Sequence, residues 1–290
     1  MNPYDLLIAP FVDLGHLRMA LAGSVAIAVG CAPLGVFLIL RRMALAGDVM
    51  AHALLPGVAV AFLLAGQSQV AMMAGGLVTG LVVAWLSSAA ARGTGLAEDS
   101  SLAVFYLVSL ALGVLIVSAT GSDEELLHLL FGSLGAVDAG LLVTIAATTS
   151  VTVIALALLA RALIAECFDP VFLASVGGRG ALIHMAFMTL VVINLVGGFS
   201  TLGALMVVGI MMLPAVAARF WATGIGGQVG CAVGIAVASS VVGLLVAHHA
   251  GLPLGPSVII AAGLAAMLSM AFGRHGSLRL RYGGGTHLEA

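Results

Sequence analysis

An aspartate and a histidine lie four residues apart in an otherwise apolar part of the chain. The stretch LRRMALAGDVMAHALLPG, residues 40–57, contains Asp48 and His52. On an α-helix, residues i and i+4 share a face, with their Cβ atoms about 6 Å apart. Carboxylate and imidazole are both ligands of first-row divalent metals. We therefore predict that Asp48 and His52 bind such a metal ion; the alternative is a hydrogen-bonded pair that only orients helices.

Two side chains are fewer ligands than a stable metal centre uses, since structural zinc sites have about four. Pro56 adds one candidate, because a proline leaves the carbonyl four residues earlier, that of His52, without its usual donor. A symmetric pair of chains would bring two aspartates and two histidines together. The sequence thus predicts a weak, transient site shared by two copies, as a carrier needs.

The composition indicates a membrane protein. The chain of 290 residues is 62% hydrophobic and 8% charged, whereas a soluble domain has about 25% charged residues. Its unbroken apolar runs of about 18–24 residues are long enough for helices that cross the bilayer. We predict an all-α, polytopic membrane protein with about nine (eight to ten) transmembrane helices. The expected spans are residues 17–40, 49–66, 70–91, 101–119, 141–160, 182–198, 202–218, 229–247 and 257–272.

The arginines predict the orientation of these spans. The chain has no lysine and ten arginines, and nine of the ten, all except Arg18, fall on one side of the predicted spans. By the positive-inside rule that side is cytoplasmic. The N-terminus is then outside and the C-terminus is cytoplasmic. We expect one transmembrane domain over 1–275, with an outer loop at about 120–140, a cytoplasmic loop at about 161–181 and a flexible cytoplasmic tail over 276–290.

The absence of lysine also excludes one class of enzyme. A phosphate-binding P-loop requires the pattern G-x-x-x-x-G-K-[ST], and this chain cannot supply its lysine. ATP hydrolysis through a P-loop therefore has to belong to another subunit. The net charge of −2 gives no reason to expect a nucleic-acid partner.

Other polar residues give weaker signals. His248 and His249 precede the sequence GLPLGPS at the predicted outer mouth, where they either have a loop or interface role or bind metal as it enters. His184 and Asn194 share one predicted span, and we expect them to form helix-to-helix hydrogen bonds. Pro214, like Pro56, lies within or at the edge of a span, so both are candidates for kinks or gating.

The longest cytoplasmic loop, RALIAECFDPVFLASVGGRG, predicts a short helix. Asp169 is a good N-cap, Pro170 suits the first helical position, and Gly177 can end the helix in the left-handed conformation. A compact apolar helix projecting from a membrane protein suits a groove on a partner; the alternative is a connector that lies on the membrane. The residues it would present are Phe172, Leu173 and Val176.

Residues 36–64, VFLILRRMALAGDVMAHALLPGVAVAFLL, resemble the signature of the membrane subunit of ABC importers for zinc, manganese or iron. Further segments resemble that family's motifs in the same order, so that the resemblance covers roughly residues 15–272. These segments are AEDSSLAVFY, LLHLLFGSL, CFDPVFLASVG, VGIMMLPAVAAR and GLPLGPSVII.

The resemblance implies a permease that works in the bacterial cytoplasmic (inner) membrane. Its partners would be a second copy of itself, a separate ATPase that binds ATP, and an extracytoplasmic metal-binding protein. Asp48 and His52 would lie on the metal path. Phe168, Asp169, Pro170 and the helix after them would dock on the ATPase. Zn²⁺, Mn²⁺ or Fe²⁺ would be transported, with no permanently bound cofactor, and the sequence leaves the choice of metal open.

Two alternatives belong to other classes. A permease for a bulky metal chelate, such as a siderophore or corrinoid, needs a wide lumen with aromatic or arginine contacts, and 6% aromatic residues argue against it. An intramembrane metallohydrolase using Asp48 and His52 would need a neighbouring base, and no H-E-x-x-H motif is present.

The depth of the pair is also open: Asp48 follows Arg42 by about 9 Å of helix, which favours the inner half of the bilayer.

Overall fold

The computed structural model describes residues 9–66, 68–120, 139–169, 173, 175 and 177–279. Within these ranges every regular element is helical, which confirms the predicted all-α class. The helices are α1 (Ala9–Asp13), α2 (Gly15–Leu40), α3 (Ala46–Ala53), α4 (Leu55–Ala65), α5 (Gln69–Thr94), α6 (Glu98–Thr120), α7 (Ala139–Phe168), α8 (Gly180–Leu202), α9 (Ala204–Ala218), α10 (Ile225–Ala250) and α11 (Leu254–Phe272).

The helices have the lengths of a multi-pass membrane protein. In the described part of the chain, eight segments are long and apolar enough to cross a membrane, with α3 and α4 together forming one of them. Helix α9 has 15 residues, or about 22 Å at 1.5 Å per residue, which is shorter than the hydrocarbon core. The nine predicted spans therefore correspond to eight segments of membrane-spanning length and one shorter helix, α9.

Contacts between distant residues show which helix ends lie together. His184 in α8 contacts Arg41, just after α2, and Ser88, near the end of α5. A Cβ on Gly47, in the first turn of α3, would lie 3.7 Å from Met212, in the middle of the short helix α9. We call this the arginine-rich end of the bundle, because four arginines occur beside these contacts: Arg41, Arg92, Arg179 and Arg219.

The core of the bundle is formed by α2, α8 and α9. Within the most apolar window, 72% of α2 and 61% of α8 is buried, against 17% for α6 and α7. In α9, Met206, Val207, Ile210 and Met211 are almost completely buried. Helices α6 and α7 therefore turn most of their apolar surface outward, towards lipid or another protein.

A hydrogen-bond network joins three of these helices in the interior. Asn194 of α8 donates to the hydroxyl of Thr152 in α7 at 2.5 Å, and the thiol of Cys31 in α2 lies 3.8 Å from its carbonyl oxygen. Asn194 also donates to the carbonyl of Leu190. These contacts confirm the predicted helix-to-helix role of Asn194, and they satisfy its amide where no water is at hand.

Candidate functional site

Asp48 and His52 share one face of α3. Nδ1 of His52 lies 3.8 Å from Oδ1 of Asp48 and donates a hydrogen bond to the Asp48 backbone carbonyl at 2.9 Å. Because a carbonyl oxygen only accepts, Nδ1 carries a proton, and in the neutral ring Nε2 then keeps its lone pair. Histidines that bind metals commonly donate their other ring N–H in this way. The side chain of His52 is therefore in the tautomer that a metal ligand needs.

The pair is exposed on the surface of the single chain. The Asp48 side chain is 61% exposed and that of His52 is 46% exposed. The neighbouring helix α6 presents Val104, Leu107 and Val108 to the outside. A carboxylate that faces hydrocarbon is costly. Asp48 and His52 therefore need a wet passage or a second protein surface in front of them.

One chain supplies few ligands at this position. Within the described residues, no group of three or more His, Cys, Asp and Glu side chains is close enough to hold a metal ion. A cation beside Asp48 and His52 would complete its coordination with water or with groups from another molecule. Such an incomplete site releases its ion easily, which suits transport better than storage or catalysis.

The helix that carries the pair is interrupted just after it. Helix α3 ends at Ala53, and α4 begins at Leu55 with Pro56 in its first turn. Ser109 of α6 donates to the Ala53 carbonyl at 2.8 Å, while the His52 carbonyl accepts from the Leu54 backbone N–H. The interruption is thus stabilised by α6, and the carbonyl expected to lack a donor has one.

Tyr106 of α6 gives the position of His52 along the bundle. Its ring lies edge-on to the imidazole of His52, with 6.5 Å between the centroids. Tyr106 is eight residues beyond Glu98, the first residue of α6, and therefore about 12 Å along that helix at 1.5 Å per residue. His52 accordingly lies about a third of the way along α6, measured from the arginine-rich end. The expected position in the inner half of the bilayer stays a prediction.

The ABC 3 transport family matches residues 13–273 of the chain. The chain belongs to this family. It is 27% identical to the manganese import system permease protein ScaB of Streptococcus parasanguinis over 268 residues, which cover 91% of this chain and 94% of that protein. It is 29% identical to the manganese transport system membrane protein MntC of Halalkalibacterium halodurans (93% and 92% covered). A probable iron transport system membrane protein of Haemophilus influenzae is 22% identical (93% and 98% covered).

Two solved structures share the fold of this ABC 3 chain. PsaBC from Streptococcus pneumoniae, in complex with Fab, aligns with a TM-score of 0.80 at 24% identity, covering 95% of this chain and 97% of that one. An inward-facing putative metal-chelate type ABC transporter aligns with a TM-score of 0.66 at 15% identity, covering 89% and 87%. The polytopic helical fold predicted from the sequence is therefore confirmed.

His248 and His249 are far from Asp48 along the bundle. They lie in the last turn of α10, a helix of 26 residues that begins shortly after Arg219 at the arginine-rich end. Their ring centroids are 5.2 Å apart, and His249 Nδ1 donates to the Leu245 carbonyl at 2.8 Å. The structure does not bring this pair together with Asp48 and His52, so its part in metal entering the protein stays a prediction.

The predicted ATPase-coupling residues follow α7. Phe168, the last residue of α7, is 66% exposed. The backbone N–H of Leu173 donates to the carbonyl of Asp169 at 3.1 Å, and Gly177 has the expected left-handed conformation with φ of 76°. Leu173 itself is half-buried. Three of the predicted residues lie outside the described part of the chain: Pro170, Phe172 and Val176.

The two prolines differ in their effect on the helices of this ABC 3 protein. Pro56 follows an interruption, whereas Pro214 lies inside α9, which continues to Ala218. Pro214 is buried in the bundle core. Gating by either residue stays a prediction.

A buried charged cluster was missed by the sequence reasoning. The guanidinium of Arg41 lies 2.5 Å from Oε2 of Glu166, and these side chains are only 7% and 13% exposed. Arg41 also donates to Nδ1 of His184 and lies 5.1 Å from the ring centroid of Phe187. We call Arg41, Glu166 and His184 the arginine cluster. The signal that points to it is a lone glutamate near the end of an apolar helix, which needs a partner.

Proposed function

We propose that this chain is the transmembrane permease subunit of an ABC importer that carries a divalent transition metal ion into the bacterial cytoplasm across the inner membrane. The observation that carries the proposal is the Asp48–His52 pair, exposed on a membrane-spanning surface with Nε2 of His52 ready to bind a cation. Relatives named for manganese and for iron favour Mn²⁺ or Fe²⁺; Zn²⁺ has the same ligand chemistry.

The permease would depend on a separate ATPase. Its sequence contains no lysine and hence no P-loop. The segment after α7, which begins with the exposed Phe168, is the proposed docking site for that subunit. Movement of the ATPase on ATP binding and hydrolysis would then be transmitted to the permease through the segment between α7 and α8.

A second copy of the chain would complete the site. Two copies related by a twofold axis place the same surface patch opposite itself, so two carboxylates and two imidazoles would face one passage. This arrangement removes Asp48 from contact with lipid and raises the number of side-chain ligands from two to four. An external metal-binding protein would deliver the ion at the opposite end from the arginines.

Reconstitution tests the function directly. The permease and its partner ATPase would be placed in proteoliposomes, with the metal-loaded external binding protein added outside. We expect Mn²⁺ or Fe²⁺ to accumulate in the vesicles only when ATP is supplied to the ATPase side. An ATPase variant without its P-loop lysine is the matched control, and it should give no accumulation.

The same vesicles distinguish the chelate alternative. Accumulation of a ferric siderophore or corrinoid, together with no uptake of the free divalent ions, would contradict the proposed cargo. Competition between Mn²⁺, Fe²⁺ and Zn²⁺ for uptake then ranks the metals.

Mixing active and inactive copies tests whether two chains share the site. Equal amounts of wild-type permease and an Asp48→Ala/His52→Ala variant would be coexpressed and purified as mixed complexes. If both copies are needed, random pairing leaves about a quarter of the wild-type uptake, because only that fraction contains two intact chains. Uptake of about half would show instead that each copy has its own path. Equal incorporation, measured by mass spectrometry, is the control.

A further inference from the structure

The arginine cluster joins three parts of the chain that are distant in sequence. Arg41 lies directly after α2, Glu166 is the third residue from the end of α7, and His184 is the fifth residue of α8. Arg41 and Glu166 form an ion pair at 2.5 Å, and Arg41 donates to the His184 ring. One guanidinium therefore contacts the helices on both sides of the segment that connects α7 to α8.

The bonds around His184 fix its role as an acceptor. An arginine only donates, so Nδ1 of His184 accepts and Nε2 carries the proton. Nε2 lies 3.0 Å from the hydroxyl of Ser88 in α5, and that hydroxyl donates to the Ala84 carbonyl at 2.6 Å. Arg41 is thereby connected through a continuous series of hydrogen bonds to α5 as well.

The backbone between Arg41 and α3 is a short and tightly bonded turn. The N–H of Met43 donates to the Leu38 carbonyl at 2.9 Å, and the N–H of Ala46 donates to the Met43 carbonyl at 3.1 Å. Met43 is 2% exposed, and Arg42 has a φ of 61°. Such a turn has little freedom to stretch, so a displacement of Arg41 moves the start of α3. Asp48 lies seven residues after Arg41.

We propose that Arg41, held by Glu166 and His184, is the positioning residue that transmits movement of the α7–α8 segment to the helix carrying Asp48 and His52. The proposal rests on the proposed function, because it assigns the source of that movement to a docked ATPase. A buried ion pair suits this task, since separating its partners is strongly unfavourable. The three helices are therefore constrained to move together. None of the three side chains needs to touch the metal.

A purely structural role predicts a different outcome. Residues that only stabilise the bundle change the amount of folded complex but not the number of ions moved per ATP. A coupling residue changes that ratio in complexes that are folded and hydrolyse ATP. Coupling between sites typically corresponds to a factor of about 5 to 150.

The test compares variants of Arg41 and Glu166 with a variant of the neighbouring Arg42. Glu166→Gln removes the ion pair with little change of shape, and Arg41→Gln removes it with a shorter, neutral side chain. Arg42→Gln makes the same arginine replacement at an exposed position. In proteoliposomes with the ATPase, we expect Arg41→Gln and Glu166→Gln to lower the metal ions transported per ATP about tenfold or more. Arg42→Gln should stay within about twofold of wild type. If Arg41→Gln and Glu166→Gln both transport the wild-type number of metal ions per ATP, the proposal is wrong.

A reciprocal exchange covers the case in which Arg41→Gln fails to assemble. The double variant Arg41→Glu/Glu166→Arg restores opposite charges. It should transport more metal ions per ATP than Glu166→Gln does. If Glu166→Gln keeps the wild-type ratio, the proposal is wrong whatever the behaviour of Arg41→Gln.

A readout that does not depend on cargo separates failure of this inference from failure of the proposed function. Leu45, 70% exposed beside α3, would be changed by L45C in a chain whose half-buried Cys167 and Cys231 are replaced by serine. We expect ATP with vanadate to change the rate at which the introduced thiol reacts with a water-soluble maleimide. Glu166→Gln should abolish that change; a change that persists in Glu166→Gln overturns the proposal, even if no metal is transported.

Discussion

Replacement of Asp48 or His52 by alanine is expected to reduce metal uptake at least about 100-fold, since even the loss of a group that only supports a ligand typically costs about 10- to 100-fold in metal affinity. The two side chains are 61% and 46% exposed, so little packing is lost when they are shortened. We therefore expect normal amounts of folded permease and an ATPase complex that still assembles. Uptake of Mn²⁺ or Fe²⁺ into proteoliposomes measures the effect.

Asp13 and His16 supply the matched control for this experiment. They are also an exposed aspartate and histidine close together in sequence, but they lie next to the start of α2. Asp13→Ala and His16→Ala should transport at the wild-type rate. Normal uptake in both Asp48→Ala and His52→Ala would remove the pair from the metal path, although the family membership would stand.

Most of the fold, and the shared helix face of Asp48 and His52, could be predicted from rules that involve only residues close together in sequence. The length of the apolar runs predicted the membrane crossings because bilayer thickness sets helix length. The spacing of Asp48 and His52 predicted their shared face because it follows from the helical repeat alone. Pro56 was a candidate for a kink because it cannot donate a backbone hydrogen bond, and the helix is interrupted just before it. Each of these features depends on neighbours within a few residues.

The rest of the site depends on contacts that no local pattern contains. Arg41 and Glu166 are 125 residues apart in sequence, and the sequence identified Arg41 only as a positive charge near a membrane surface. Its burial arises because α2, α7 and α8 meet at that point. The tautomer of His52 likewise depends on a carbonyl that only the folded helix places within 2.9 Å. Tertiary packing, and not residue type, decides these features.

The helix pair α3–α4 is constrained on both sides of its interruption. On one side the arginine cluster and the turn at Met43 fix the start of α3. On the other side α4 packs against α5 through two glycines: a Cβ on Gly57 would overlap the backbone carbonyl of Gly75, and a Cβ on Gly75 would lie 2.8 Å from that of Ala61. Two side chains that are proposed to bind a metal ion need such fixed support.

Gly57→Ala is therefore expected to destabilise the permease, by about 1–3 kcal/mol or more, because an added methyl group in a filled space costs this much. The carbonyl of Gly75 is backbone and belongs to a helix, so it cannot move away as a flexible side chain would. A Cβ added to Gly230, in α10, would meet no atom within 4 Å among the described residues. Gly230→Ala should instead stabilise by about 0.5–1 kcal/mol, since alanine restricts the unfolded chain and favours helix.

The two substitutions are expected to change the stability of the permease in opposite directions, so their comparison is decisive. Thermal unfolding of the purified permease in detergent should give a lower midpoint for Gly57→Ala and an equal or higher midpoint for Gly230→Ala. If both variants unfold at the same temperature as wild type, α4 and α5 do not approach as closely as the two glycines indicate. On the α4 side of the interruption, the support that we assign to Asp48 and His52 would then have to come from α6, through Ser109 and its hydrogen bond to Ala53.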